Sequence, residues 1–375
     1  MIHRPIRLAL ALLATGIPYA VPAAPAISVS PVTTPQVAAK TLPTRVVGRA
    51  VTVEAASGPS FTRQWPGTYF ETRFRGTTAY FQVGAGNVIL HVIVDGRPVA
   101  KLVKPQAGLY RIDGLTRGNH RVRVAVGSES QAAPTHFGGF YAAKATFALP
   151  LQAPRRQIEF IGDSHTVGYG NTSLTQDCTE DAVWATTDTT QGIAPRVAAT
   201  FDADYEVNAI SGRGIVRNYN GMAADTLPQA YPYTLFGDNT PVRDPRWNPQ
   251  VIVIALGTND FSTALNAGEP WKTRDALHQD YEATYLRFLS RLRTVHPHAL
   301  ILLWATDLAN GEIAREAGAV ARQAQANGDS RVAFLPVNGL SFSACHAHPS
   351  SDDDRIIATA ITKVITARAD AWDAR

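Results

Sequence analysis

Four short segments of the sequence carry side chains that together could perform acyl transfer. IEFIGDSHTVGYG places Ser164 after an apolar stretch, NAISGRG contains Gly212, LGTNDFS contains Asn259, and CHAHPSSDDDR contains His348. A serine hydroxyl needs a neighbouring base to act as a nucleophile, and histidine, with a pKa of about 6.5, is the usual one. The developing oxyanion needs hydrogen-bond donors, which a glycine N–H or an asparagine amide can supply. These segments therefore predict a serine hydrolase site.

Each of these segments also has a simpler interpretation. Gly-Asp-Ser is a common turn tripeptide, and Asn259 could merely cap a turn. Gly214 is the alternative to Gly212, which we prefer from its place in Ser-Gly. We expect Asp163 to order the loop of the nucleophile through backbone hydrogen bonds, and Asp260 to be a structural hydrogen-bonding partner rather than a catalytic acid.

The elements around these segments indicate a parallel sheet covered by helices. VIVIALG (251–257) and LILLWA (300–305) are typical of strands buried on both faces. Two segments have the helical period of apolar residues, 273–292 and 351–366. Their predicted buried faces are Leu277, Tyr281, Tyr285, Phe288, Leu289 and Leu292, and Ile357, Ile361, Val364 and Ile365. In such folds the site lies beyond the carboxyl ends of the strands, where Ser164 and Asn259 are expected.

The preceding part of the chain has a different pattern. Residues 46–150 read as short strands: HRVRVAV alternates valine with arginine, and NVILHVIVDGRPVAKL predicts a hairpin around Asp95-Gly96. No helical period of useful length occurs there, so we predict an all-β sandwich of jelly-roll type. Residues 24–45, rich in Pro, Thr, Ala and Val, are interpreted mostly as a linker.

The four segments, in this order and at strand ends, resemble the SGNH or GDSL-like hydrolase superfamily over residues 155–375. With the β-sandwich in front, the chain resembles the two-domain acetyl esterases of carbohydrate esterase family 2. The resemblance implies a jelly-roll domain followed by a three-layer α/β/α hydrolase domain, and removal of O-acetyl groups from plant polysaccharide such as xylan or glucomannan. It implies Ser164 as nucleophile and an oxyanion hole of the Ser164 and Gly212 N–H groups and the Asn259 amide. The His-Pro-Ser context implies His348 rather than His346 as the base.

One position departs from the pattern of that superfamily. Many members carry an aspartate three residues before the histidine, whereas this chain has Cys345 there. The acids at 352–354 are better interpreted as favourable charges in the first turn of a helix. We therefore expect a Ser-His dyad with a backbone carbonyl orienting His348. Cys178 and Cys345 are either a long-range disulfide, which would tie the histidine loop to the loop after the nucleophile, or two buried thiols.

Composition and the amino terminus indicate an exported globular protein. The chain has 375 residues, 45% hydrophobic and 18% charged, and its net charge of +4 is spread without a basic run, which argues against a nucleic-acid partner. Residues 1–23 have the pattern of a secretory signal peptide, and no later segment is long enough for a membrane anchor. No pair of histidines has the spacing of a zinc site, so we expect no metal and no cofactor. We expect a secreted or periplasmic monomer.

Several features of the sequence bear on the substrate. Trp184, Tyr231 and Trp247 lie in predicted loops and are candidates for stacking on a sugar ring, although most aromatics in such loops simply pack. A lipase or thioesterase of the same superfamily is the alternative enzyme, and the scarcity of long apolar loops argues mildly against a lipid substrate. A catalytically dead carbohydrate-binding protein is the alternative from another class, and the complete Ser, Gly, Asn, His set argues against it. The sandwich is either a rigid platform beside the site or a glycan-binding surface.

Overall fold

A β-sandwich is followed along the chain by an α/β domain in the computed structural model, which describes residues 26–33, 40–55, 58–237, 239–242 and 244–373. The predicted signal peptide, residues 1–23, lies outside the described residues. Within those ranges, no helix combines the length and apolar character needed to cross a membrane.

The sandwich consists of two antiparallel sheets. One has the strand order β1-β10-β7-β12-β5-β4 with β2 added to β12, and the other β13-β6-β11-β8-β9 with β3 added to β6. The strands are β1 Ser28–Pro31, β2 Thr41–Leu42, β3 Arg45–Val47, β4 Ala50–Ala55, β5 Gly58–Arg63, β6 Tyr69–Gly76, β7 Ala79–Val83, β8 Ile89–Val94, β9 Arg97–Val103, β10 Gly108–Asp113, β11 Gly118–Val126, β12 Thr135–Ala142 and β13 Phe147–Ala148.

Alternating side chains build the core between these sheets. Val122 and Val124 of β11 are buried, as the alternation predicts, and they share one cluster with Phe81 and Phe137 of the facing sheet. The predicted hairpin is confirmed, because β8 and β9 pair antiparallel on either side of Asp95-Gly96. Both turn residues have positive φ, 50° and 80°, which suits a two-residue turn.

The segment interpreted as a linker instead contributes strands to the sandwich. β1 pairs with β10 and β2 with β12, both antiparallel. These strands are only four and two residues long, so they are too short to show a period in the sequence. Pro31 is compatible with the position of β1 at the edge of its sheet.

The α/β domain contains a five-stranded sheet in the order β15-β14-β16-β17-β18, and every pairing is parallel. Its strands are β14 Arg156–Gly162, β15 Ala203–Ala209, β16 Val251–Ala255, β17 Leu300–Thr306 and β18 Val332–Val337. Its helices are α1 Ser164–Val167, α2 Glu180–Thr186, α3 Ile193–Thr200, α4 Leu227–Ala230, α5 Thr258–Phe261, α6 Arg274–Val295, α7 Glu312–Ala326 and α8 Ser351–Ala367. Short 3-10 turns span Thr189–Gln191, Tyr219–Gly221 and Cys345–Ala347.

Helices cover both faces of this sheet. α3 and α8 pack in one apolar cluster and α6 and α7 in the other, so the domain has the predicted three layers. All six apolar residues predicted for the face of α6 are buried. On α8, Ile357, Ile361 and Ile365 are buried, whereas Val364 is only partly buried at the edge of the cluster.

The strand order reverses between two neighbouring strands, β14 and β16. The chain leaves β14 for β15 on one side and returns to β16 on the other. Ligands of open parallel sheets bind where the order reverses, beyond the carboxyl ends of the strands. Ser164 follows β14 and Asn259 follows β16, so the fold brings both to this crevice.

Buried polar contacts join the sandwich to the α/β domain. Arg45 Nη1 lies 2.5 Å from Asp204 Oδ2, and the Tyr69 hydroxyl donates to Asp204 Oδ1 at 2.6 Å. Trp65 Nε1 donates to the Tyr233 carbonyl at 3.1 Å. Because one partner of each contact comes from each domain, the two units are packed together rather than merely tethered.

Candidate active site

The turn after β14 presents Ser164. Asp163 caps α1 by accepting the His165 N–H at 3.1 Å, and Ser164 is the first residue of that helix. Its N–H therefore has no partner within the helix and is available as a donor. A Cβ on Gly162 would lie 2.0 Å from Thr166 Oγ1, so the tight turn requires glycine at this position. Ser164 is 5% exposed.

His348 meets the serine from the opposite side of the crevice. Its Nε2 lies 2.9 Å from Ser164 Oγ, and its Nδ1 lies 3.0 Å from the Cys345 carbonyl and 3.2 Å from the His346 carbonyl. Since carbonyl oxygens only accept hydrogen bonds, Nδ1 must carry the proton. Nε2 is then free to accept the serine proton. The carbonyls hold the ring in the tautomer that a base requires.

The surroundings of His348 keep its imidazole neutral. Burial lowers the pKa of His348 to about 4, against the opposing effect of its bonds to the Cys345 and His346 carbonyls. A neutral imidazole can accept a proton, whereas an imidazolium cannot. The group is therefore in its basic form at neutral pH.

Asn259 lies beside the nucleophile turn. Its side chain is 4% exposed, and its Nδ2 donates to Asp163 Oδ2 at 3.2 Å and to the Arg213 carbonyl at 2.8 Å. The amide thus connects the turn that carries Ser164 with the loop that carries Gly212. Both hydrogens of the amide are thus used within the protein, so a bond from Asn259 to substrate requires the exchange of one of these two contacts.

The two candidate glycines have different surroundings. A Cβ on Gly214 would lie 2.1 Å from the Arg217 carbonyl oxygen and 2.5 Å from Asp260 Oδ2, so close packing accounts for this glycine. Gly212 has φ +83°, and the nearest atom to a Cβ there is Met222 Cε at 3.6 Å. Gly212 therefore borders open space, which favours it over Gly214 as a donor to substrate.

Two buried carboxylates shape the loops of the site. Asp260 accepts the N–H groups of Ile215, Val216 and Arg217 at 2.9 to 3.0 Å and so fixes the loop after Gly212. Burial raises the pKa of Asp260 and of Asp163, and the hydrogen bonds from neighbouring N–H groups oppose that rise. Asp163 and Asp260 thus both accept hydrogen bonds from backbone N–H groups around the site.

His346 is held away from the serine by other partners. Its Nε2 donates to the Cys178 carbonyl at 2.8 Å, so its Nδ1 accepts the Tyr169 hydroxyl at 3.0 Å. The ring of Tyr169 also packs on His348, with centroids 4.3 Å apart. No local pattern could point to Tyr169, because its contacts come from residues 177 and 179 positions later in the chain.

A disulfide joins Cys178 to Cys345. It connects the loop after the nucleophile with the turn that precedes His348. The neighbouring His346 N–H donates to the Gln176 carbonyl at 2.8 Å, so the two loops are also joined by the backbone.

The three candidate sugar-stacking aromatics occupy two separate places. Trp184 lines a groove of about 460 Å³ together with Tyr169, next to His348, and Lys104 Nζ lies 4.7 Å from the centre of its ring. Tyr231 and Trp247 instead line another cavity of about 210 Å³, which contains neither Ser164 nor His348.

Packing at the domain junction explains the position of Tyr231. Its hydroxyl donates to Glu159 Oε1 at 2.7 Å, and the Arg49 guanidinium lies 4.4 Å from the centre of its ring. The structure thus corrects the placement of Tyr231 and Trp247 as loop aromatics of the site. Within the described residues, no group of three or more His, Cys, Asp or Glu side chains is arranged to hold a metal ion.

The chain is similar to known carbohydrate esterases along most of its length. Residues 46–151 match the family model Carbohydrate esterase 2 N-terminal, and residues 160–358 match the GDSL-like Lipase/Acylhydrolase family. The chain is 42% identical over 335 residues to an acetylxylan esterase / glucomannan deacetylase of Cellvibrio japonicus, covering 89% of this chain and 93% of that protein. It is 29% identical to the cellulase/esterase CelE of Acetivibrio thermocellus, covering 80% of this chain and 37% of that protein.

Solved structures show the same two-domain fold. A carbohydrate esterase whose active site has divergent catalytic and non-catalytic binding functions superposes with a TM-score of 0.84 at 41% identity, covering 89% of this chain and all of that one. A family two carbohydrate esterase from Clostridium thermocellum, solved with cellohexaose, superposes with a TM-score of 0.75 at 26% identity, covering 88% and 100% of the two chains.

Proposed function

Because the chain belongs to carbohydrate esterase family 2, whose members are carboxylic ester hydrolases of the GDSL-like type, we propose that it removes O-acetyl groups from carbohydrate. The substrate class that this proposal names is acetylated plant polysaccharide or oligosaccharide, such as xylan or glucomannan. The observation that carries the chemistry is the 2.9 Å contact between Ser164 Oγ and a His348 ring whose other nitrogen is held by backbone carbonyls.

The proposed reaction proceeds through an acetyl-enzyme. Ser164 Oγ attacks the ester carbonyl carbon while His348 Nε2 takes the hydroxyl proton. The N–H groups of Ser164 and Gly212 bind the resulting oxyanion, and the Asn259 amide joins them by exchanging its 3.2 Å hydrogen bond to Asp163 for one to the oxyanion. When the bond to the sugar oxygen breaks, the proton on Nε2 passes to that oxygen, and the carbohydrate leaves with a free hydroxyl.

Water completes the cycle. It attacks the acetyl carbonyl while giving a proton to His348 Nε2, and the second tetrahedral intermediate expels Ser164 Oγ, which recovers that proton. Acetate leaves, and both residues return to their starting state. The residues in this proposal account for every proton transfer without a carboxylate on His348 Nδ1.

We also propose that the protein is an exported monomer. The pattern of residues 1–23 supports export, and we expect a monomer. A lipase or thioesterase activity and a catalytically dead binding protein are the competing functions. Neither is favoured by a specific contact of the site.

Comparison of ester chain lengths with a nucleophile variant tests the proposal. Wild type should hydrolyse 4-nitrophenyl acetate faster than the butyrate and octanoate esters and release acetate from acetylated xylan or glucomannan. Ser164→Ala should lose at least roughly a thousandfold in kcat, because the nucleophile is removed. Ser330→Ala, an exposed serine at the opposite end of the sheet, should match wild type. Activity surviving in Ser164→Ala would refute the mechanism, and a preference for octanoate would favour the lipase alternative.

A further inference from the structure

A loop of the β-sandwich reaches the active-site loop of the other domain. It connects β11 to β12 and places two side chains against Ser211. Glu129 Oε1 accepts the Ser211 N–H at 2.8 Å, and Gln131 Nε2 donates to the Ser211 carbonyl at 3.1 Å. Gln131 Nε2 also donates to Glu129 Oε1 at 3.1 Å, so the two side chains act as one unit. Both polar backbone groups of Ser211 are thus bound by the sandwich.

The Ser211 carbonyl belongs to the same peptide group as the Gly212 N–H. A trans peptide is planar, and its C=O and N–H point in opposite directions. A donor that holds the Ser211 carbonyl on one side therefore fixes the Gly212 N–H on the other. Hydrogen bonding to a carbonyl also polarises the N–H of its peptide group and makes it a better donor.

The neighbouring peptide groups are held by the hydrolase domain itself. The Ile210 N–H donates to the Gly162 carbonyl at 3.2 Å, and the Gly212 carbonyl accepts the Tyr219 N–H at 2.9 Å. The Arg213 carbonyl accepts from Asn259 Nδ2. Among these anchors, the ones on Ser211 come from the other domain.

The sandwich loop is itself firmly fixed. The buried Arg63 donates through Nη2 to Ser130 Oγ at 2.9 Å, and the Ile89 N–H donates to Ser128 Oγ at 2.9 Å. Gln64 Nε2 donates to the Gln131 carbonyl at 3.2 Å. These bonds hold the loop on both sides of Glu129, so it can serve as a rigid support.

We propose that Gln131 and Glu129 are positioning residues that orient the Gly212 N–H toward the substrate oxyanion. The β-sandwich is then a working part of the active site and not only an attached module. This inference rests on the proposed function, since it takes Gly212 as an oxyanion donor.

Substitutions that remove the hydrogen bonds of Gln131 and Glu129 test the proposal. Gln131→Met keeps the length of the side chain but has no donor, and Glu129→Ala removes the acceptor. Each should lower kcat for 4-nitrophenyl acetate about three- to tenfold, the range expected for one hydrogen bond, with KM unchanged. Glu129→Gln retains an acceptor oxygen and should recover most of the kcat. The melting temperature of each variant shows that it is folded.

A matched control separates orientation from general loosening of the domains. Tyr69→Phe deletes the hydrogen bond to Asp204, also between the domains but at the start of β15, and should lower the melting temperature without changing kcat. A fall in kcat for Tyr69→Phe equal to that for Gln131→Met would overturn the inference. So would wild-type kcat in both Gln131→Met and Glu129→Ala while Ser164→Ala is inactive. Activity in Ser164→Ala would instead remove the proposed function.

Discussion

Removal of the disulfide between Cys178 and Cys345 should lower both stability and turnover. The bond spans a sequence separation of 167 residues. By constraining the unfolded chain, a disulfide that closes so long a loop adds at most about 5 kcal/mol, and more commonly 2–4 kcal/mol, to the free energy of unfolding. At roughly 3 °C for each kcal/mol, Cys178→Ala/Cys345→Ala should melt roughly 10 °C below wild type.

The effect on turnover follows from the backbone of the histidine loop. Phe342, His346 and Ala347 have φ values of 49°, 52° and 56°, in the left-handed region that side chains with a Cβ disfavour. Each such residue costs roughly 1 kcal/mol or more, so the loop that positions His348 carries roughly 3–4 kcal/mol of strain.

Hydrogen bonds from neighbouring segments oppose this strain. Asp353 accepts two backbone N–H groups of the loop at 2.8 and 3.0 Å, and His346 bonds to the carbonyls of Gln176 and Cys178. The Ser341 hydroxyl also donates to Asp353, Gln176 Nε2 donates to the Phe342 carbonyl, and the Tyr169 hydroxyl donates to His346. At about 0.5–1 kcal/mol each, these seven bonds are of the same order as the strain. Without the disulfide, the competent loop should then be only partly populated, and kcat should fall about two- to tenfold with little change in KM.

The assay is kcat for 4-nitrophenyl acetate, measured well below the melting temperature of the variant so that the chain stays folded. Reduction of wild type with a phosphine should reproduce the loss, and the same treatment should leave Cys178→Ala/Cys345→Ala unchanged. A variant that melts lower but keeps wild-type kcat would show that the loop holds His348 without the disulfide. The argument from backbone strain would then be wrong.

Two further predictions concern pH. Because burial lowers the pKa of His348 to about 4, kcat/KM should stay constant as the pH falls to 5 and should decrease only near pH 4. A decrease of kcat/KM that begins near pH 6.5 while the enzyme is still folded would contradict this prediction. Burial by itself would raise the pKa of Glu71, but Arg123 and Arg45 lower it to about 2. The ionised Glu71 side chain therefore stabilises the folded protein above pH 4.5, and this contribution is lost as the pH falls toward 2. Glu71→Gln should cost about 3 kcal/mol in urea unfolding at pH 7, and this difference should vanish near pH 2; a constant difference would refute the assignment.

The sequence predicted those parts of the fold in which one element carries its own pattern. The helix expected over 273–292 spans Arg274–Val295, because six large apolar residues recur at the helical period and all face the core. The parallel strands were recognisable because burial on both faces makes them continuously apolar. By contrast, β1 and β2 are too short for any period, so the segment containing them was interpreted as a linker.

The same distinction applies to the site. Ser164, Asn259 and His348 could be located because each follows a strand or precedes a helix that the sequence reveals. Tyr169 and Gln131 could not, since each acts through a contact with a residue far along the chain. Gln131 meets Ser211 across 80 positions and from another domain, and no local pattern records such a pairing.

In the proposed mechanism, His348 acts as the base with backbone carbonyls, and no carboxylate, on its second nitrogen. An acid beside the histidine of a hydrolase selects the tautomer and stabilises the imidazolium that forms. The carbonyls of Cys345 and His346 select the tautomer of His348. They stabilise the imidazolium only through their dipoles, which is consistent with the lowered pKa of His348. Cys345 thereby fixes the ring through its carbonyl and the loop through its sulfur. An aspartate at this position would add charge but would leave a strained loop without its covalent anchor.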